Sequence, residues 1–175
     1  MSLDISQRDE QDRDFAEIAL LIEHAHEIAL CAHTAPDGDA LGSALGLSRA
    51  IMKRWPDKVV VNLLADSAEI PAIYRFLPGS ESFVHAAGYG GTPDLFICID
   101  LSAPSRLADA EQICLRAPRK AVFDHHPIAS VFWDAGVARS NAAAAGVIVE
   151  EFIEYLGVEL DTEMATSLLC AIVTD

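Results

Sequence analysis

Three short apolar runs in this chain stop abruptly on polar residues of one chemical kind. Ile28-Ala29-Leu30-Cys31-Ala32 gives way to His33, Leu95-Phe96-Ile97-Cys98-Ile99 to Asp100, and Lys120-Ala121-Val122-Phe123 to Asp124-His125-His126. Runs of this length without polar alternation are the pattern of strands buried on both faces. A fourth run, Lys58 to Leu64, reads the same way. Between the first run and Lys58, the residues Leu41, Ala44, Leu45, Ser48, Ile51 and Met52 recur at helical spacing. The spacing predicts a helix from Gly38 or Asp39 to Trp55. Strand, helix and strand at this interval form a βαβ unit, which implies a right-handed crossover and a parallel sheet.

The rest of the chain fits around that unit. Met1 to Asp14 is charged and lacks an apolar rhythm, so a frayed arm is expected. Phe15, Ile18, Leu21 and Ile22 mark an amphipathic helix that ends near His24 to Glu27, with His24 and His26 exposed where a helix dipole favours them. Ile70 to Phe76 suggests a short helix stopped by Pro78-Gly79, and His85 beyond it reads as a surface or packing residue. Arg106 to Arg116 reads as a helix, Trp133 to Val137 as an edge strand, and Ala142 to Leu156 as a helix closed by Gly157. Asp161 is placed to cap a final helix carrying Ala165, Leu168, Leu169 and Ile172. We divide the chain into an N-terminal arm and helix, 1–27, and one α/β domain, 28–175.

Composition limits what such a domain does. The 175 residues are 51% hydrophobic, enough for a sizeable core, and carry a net charge of −15. That acidity argues against broad binding to nucleic acid, which needs Lys and Arg against phosphates. It leaves a nucleotide substrate open, because bound metals add local positive charge. Cys31, Cys98, Cys114 and Cys170 stand singly with no CxxC spacing, as reduced core residues of a cytoplasmic protein would. No apolar run approaches about 18 residues and the N-terminus is acidic, so neither a membrane span nor a signal peptide is expected.

In an open parallel sheet, the carboxyl ends of the strands share one edge, and ligands bind there. His33, Asp37 and Asp39 follow the first strand, Asp100 the third, and Asp124, His125 and His126 the fourth, while Asp175 follows the last helix. So many carboxylates in one place need a cation. Oxygen and imidazole donors without thiolates suit Mn²⁺, Mg²⁺ or Co²⁺ better than structural zinc. The donors are too many for one ion in an open site. Two ions about 3.5–4 Å apart would use them, and such pairs hydrolyse phosphoesters.

The motifs His33-x-x-x-Asp37-x-Asp39-x-x-Gly42-Ser43, Asp100, Asp124-His125-His126 and Ala171-Ile172-Val173-Thr174-Asp175 resemble, in order, the four motifs of the DHH phosphoesterases. Their wording is most similar to the NrnA-like branch, oligoribonucleases that also dephosphorylate 3′-phosphoadenosine 5′-phosphate. The resemblance spans Ile28 to Asp175. It implies a parallel five-stranded α/β domain flanked by helices and a pair of manganese ions. It places His33 and Asp37 on the first ion, Asp39, His125 and Asp175 on the second, and Asp100 between both. His126 would touch the substrate phosphate and Asp124 would orient the histidine beside it. A hydroxide activated by both ions would attack phosphorus in line. Arg106 falls where such proteins often carry an arginine, and either caps its helix or meets phosphate.

The family also carries a smaller C-terminal DHHA1 domain that holds the rest of the substrate, and nothing in this sequence corresponds to it. The chain is therefore expected to be the N-terminal domain of a longer protein, with a homodimer among the possible assemblies. Asn141-Ala142-Ala143-Ala144-Ala145-Gly146 lacks the Ser or Thr expected at that helix start. Other activities of the family fit the same motifs: single-strand exonuclease, cyclic-dinucleotide phosphodiesterase or pyrophosphatase. A domain that binds metal or nucleotide without turnover is the reading from a different class.

Overall fold

Both faces of the apolar runs find cover. In the computed structural model, residues 5–128 and 130–175 are described, with side chains from residue 11 onward. The described residues form six parallel strands: β1 (Glu27–Cys31), β2 (Val59–Leu64), β3 (Val84–His85), β4 (Leu95–Ile99), β5 (Arg119–Asp124) and β6 (Ala135–Ala138). Their order across the sheet is β3-β2-β1-β4-β5-β6. Along β1, Ile28 and Leu30 face one core while Ala29 and Cys31 face another; along β4, Leu95, Ile97 and Ile99 oppose Phe96 and Cys98 in the same way. A strand buried on both sides has no polar face to show, which is why these runs lack alternation.

The larger core is closed by four helices, α1 (Ile5–His24), α2 (Gly38–Arg54), α4 (Ala145–Tyr155) and α5 (Thr162–Thr174). The other face is covered by a 3₁₀ segment, Pro104–Ala110, leading into the short α3 (Glu111–Arg116). Helices α2 and α5 touch through glycines: a Cβ on Gly42 would lie 2.3 Å from the Ser167 carbonyl oxygen, and one on Gly38 would strike Thr174 and Tyr74. The N-terminus of α2 is thereby held against the C-terminus of α5. Asp161 caps α5, accepting from the N–H groups of Glu163 and Met164. Among the described residues no helix is long and apolar enough to cross a membrane.

Several expectations need correction. The sheet has six strands rather than five, because the irregular stretch after β2 adds the two-residue β3 beside it, and His85 lies on it with its ring against the Asp66 carbonyl. Residues 5–14 belong to α1 and are not a frayed arm; residues 1–4 lie outside the described residues. Gln11 donates to Glu151 and accepts from Arg139, so the helix is tied down by partners distant in sequence. The stretch from Arg106 to Arg116 is broken at Ala108, whose φ of 42° no α-helix accommodates. Helix α4 starts at Ala145, three residues later than expected, for a reason that lies in Asp39 of α2.

Candidate metal centre

The sheet edge gathers every predicted ligand. His33 follows β1, Asp100 follows β4, and Asp124 closes β5 with His125 and His126 beyond it. Asp37 caps α2, its Oδ1 accepting from the Ala40 N–H at 3.0 Å. Asp39 stands in the first turn of α2, and Asp175 directly follows α5. Among the described residues, three overlapping sets of donors lie within 4.8 Å of one another: His33, Asp37 and Asp100; Asp39, His125 and Asp175; and Asp100, His125 and His126. Asp100 belongs to two of them.

Asp100 is held in an unusual conformation. Its φ is 58°, in the left-handed region, and its N–H donates to the Phe123 carbonyl at 2.8 Å. Aspartate tolerates that region better than most residues, and the turn aims the buried carboxylate in two directions. Oδ2 lies 3.2 Å from His33 Nε2, and Oδ1 lies 3.4 Å from both His125 Nε2 and His126 Nδ1. Among the described residues, Asp100 Oδ1 and His125 Nε2 are buried without a hydrogen-bond partner. An unsatisfied acceptor and an unsatisfied imidazole nitrogen side by side are costly in a dry site. A cation between them satisfies both, so the donor set fits a divalent ion.

The neighbours fix tautomers. His33 Nδ1 lies 2.8 Å from the Thr34 carbonyl, which can only accept, so Nδ1 carries the proton and Nε2 faces Asp100. His126 Nδ1 lies 2.8 Å from Asp124 Oδ1, which also accepts the His126 backbone N–H at 3.2 Å. Asp124 therefore orients His126, whose ring is partly open to solvent, rather than His125. Arg106 is exposed on the adjoining 3₁₀ segment, its carbonyl accepts from the Thr34 N–H, and its charge opposes protonation of His33.

Without metal, the cluster holds protons. The hydrogen bond to Asp100 raises the His33 pKa. Burial, followed by the nearby Asp100 charge, pushes the Asp39 carboxyl up to about 6. A metal ion must displace both protons, so Mn²⁺ affinity is expected to fall as the pH drops, first through the raised His33 range and then through about 6 for Asp39, by up to about tenfold per unit for each proton released. Calorimetric titrations at about pH 5, 6 and 7.5 test this; affinity that is flat across the range removes both residues from the ligand set.

Two features escaped the sequence reading. Ser43, quoted within the first motif but given no role, donates to Asp39 Oδ1 at 3.0 Å; its position four residues after Asp39 on a helix is the signal that could have found it. The backbone N–H groups of Ala145 and Gly146 also donate to Asp39, at 2.7 and 2.8 Å. Helix α4 has no side-chain cap of its own, and the Asp39 carboxylate of α2 takes that place. The absent Ser or Thr near Asn141 is thus replaced from another helix, and α4 begins where Asp39 can reach it.

Residues 27–172 match the DHH family, N-terminal domain. The chain is 32% identical over 171 residues to a bifunctional oligoribonuclease and PAP phosphatase NrnA of Thermus thermophilus, covering 95% of this chain and 48% of that protein. It is 26% identical over 168 residues to a cyclic-di-AMP phosphodiesterase GdpP of Geobacillus thermodenitrificans, covering 89% of this chain and 25% of that protein. The fold is shared with an exopolyphosphatase-related protein from Bacteroides fragilis at a TM-score of 0.81 and 24% identity, over 90% of this chain and 48% of that one. It is shared more distantly with exonuclease RecJ bound to manganese, at a TM-score of 0.54 and 14% identity, over 93% and 42% of the two chains. The chain thus spans half or less of the length of these relatives. The strand-end carboxylates and histidines, the parallel sheet and the match over 27–172 lead to one conclusion: this chain belongs to the DHH family and carries its N-terminal domain.

Proposed function

We propose that the chain is the catalytic half of a phosphoesterase that hydrolyses short oligonucleotides, 3′-phosphoadenosine 5′-phosphate, or both. The observation that carries this reading is the chain of three donor sets, joined at Asp100 and at His125, with a buried Asp100 oxygen 3.4 Å from a buried His125 nitrogen and neither hydrogen-bonded. In it, His33 and Asp37 would hold one ion, Asp39, His125 and Asp175 would hold another, and Asp100 would serve both. The donor chemistry favours Mn²⁺, with Mg²⁺ or Co²⁺ as substitutes. Bound ions would supply positive charge and lower the pKa of water to near neutrality.

The remaining work falls to side chains. With Nδ1–H given to Asp124, His126 has Nε2 left for a phosphoryl oxygen of the substrate. Asp124, fully buried, would hold that ring in place. Arg106, close enough to His33 for its charge to be felt there, would add positive charge against the substrate phosphate. Likeness to the NrnA protein supports the substrate class. The half of the protein beyond this domain would supply contacts to the rest of the substrate, as a DHHA1 domain does. We place the activity in the cytoplasm, supported by four free, buried thiols.

The test is a turnover panel with Mn²⁺, using the full-length protein: a diribonucleotide, 3′-phosphoadenosine 5′-phosphate, cyclic di-AMP, a longer single strand and pyrophosphate. Release of mononucleotide or phosphate from the first two, faster than from the others, is the expected result. Preference for cyclic di-AMP would shift the reading to the activity named for the GdpP relative. No turnover of any substrate despite metal binding would leave a binding module.

A further inference from the structure

Asp39 is the most constrained carboxylate of the cluster. Its side chain is fully buried, and its two oxygens offer about four acceptor positions. Three are taken. Oδ1 accepts from Ser43 Oγ at 3.0 Å and from the Gly146 N–H at 2.8 Å, and Oδ2 accepts from the Ala145 N–H at 2.7 Å. The one position left belongs to Oδ2, the oxygen that lies 3.7 Å from His125 Nε2. The three donors, one from α2 and two from the start of α4, hold the carboxylate in its orientation.

We infer that Ser43 is a positioning residue for the metal centre: with the first two amides of α4 it occupies Oδ1, so that Asp39 offers an ion only the free position on Oδ2. This rests on the metal reading of the site given above. A carboxylate left loose would alternate between one- and two-oxygen contacts and would have to be ordered at each binding event. One held by three donors is already set. The α4 amides take one position on each oxygen and leave the second position of Oδ1 open. Ser43 fills it. The hydroxyl also comes from the helix that carries Asp39, one turn further on.

The experiment is a Mn²⁺ titration of the wild-type chain and of Ser43→Ala and Ser43→Thr, at a temperature where all three are folded. For Ser43→Ala, a rise in the Kd of one ion by roughly tenfold or more is expected, with the other ion's Kd little changed and stoichiometry at saturation unchanged. Ser43→Thr, which restores a hydroxyl, is expected to recover most of the affinity. Amide hydrogen exchange is the second readout. The N–H groups of Ala145 and Gly146 should stay protected when the wild type is saturated with Mg²⁺, because a one-oxygen contact leaves their acceptors in place. Two ions bound by the wild type with an Ala variant within about twofold in Kd would overturn the inference, as would loss of amide protection on metal binding. If the wild type binds no ion, the metal reading fails first, and this inference with it.

Discussion

Asp100→Asn is expected to lose at least one of two bound ions and to lower phosphoester turnover by roughly a thousandfold, about 4 kcal/mol of transition-state stabilisation. The substitution changes almost nothing else. Asparagine, like aspartate, tolerates the left-handed conformation that the backbone adopts at φ 58°. The side chain keeps its shape, and its amide still has His33 Nε2 as a partner at Oδ2's position. Removing the charge also relieves Asp39, whose carboxyl Asp100 helps to hold up. The metal-free variant should therefore melt no lower than the wild type while its metal binding collapses. Calorimetric stoichiometry, turnover and thermal midpoint together test this. Two ions bound with full turnover would end the bridging role of Asp100.

The second large effect concerns the seam between α2 and α5. Gly42→Ala places a methyl group 2.3 Å from the Ser167 carbonyl oxygen and 3.1 Å from the Ala171 nitrogen, both backbone atoms that no rotamer change can move. The helices must separate. Overpacking of this kind costs about 3 kcal/mol, a fall in thermal midpoint of roughly 6–12 °C for a domain of this size. Gly46→Ala meets the flexible end of Leu168 at 2.9 Å and should cost less. Gly88→Ala, with nothing within 4 Å, should stay within about 0.5 kcal/mol. Because α5 leads into Asp175, Gly42→Ala should also weaken the ion shared by Asp39, His125 and Asp175. Equal midpoints for the three variants would show that the seam is looser than its geometry implies.

How far the sequence foretold this arrangement depended on the range of the signal. The strands β1, β2, β4 and β5 were legible because each is a largely apolar run, and the clustering of His33, Asp100 and Asp124 to His126 because each follows the end of a run. The start of α4 was not, because its cap is Asp39, more than a hundred residues earlier, and no local pattern encodes a cap supplied from another helix. The same holds for the first turns of α1, tethered through Gln11 to Arg139 and Glu151. β3 was missed because two residues pairing with the end of β2 leave no periodicity to read. The break at Ala108 passed unseen because alanine is the strongest helix former and signals no turn.

The order of strands carries a consequence for how the chain assembles as it is made. β1 comes first and lies inside the sheet; β2 and β3 then extend one side, and β4, β5 and β6 extend the other, each pairing with a strand already synthesised. The sheet can grow outward from its first strand as the polypeptide leaves the ribosome, with no strand inserted between earlier neighbours. Helix α5 breaks that sequence. It docks on α2, whose glycines precede it by well over a hundred residues, and only then does Asp175 reach His125. The apolar floor of the domain is therefore laid down early, and the full ligand set is the last thing to close.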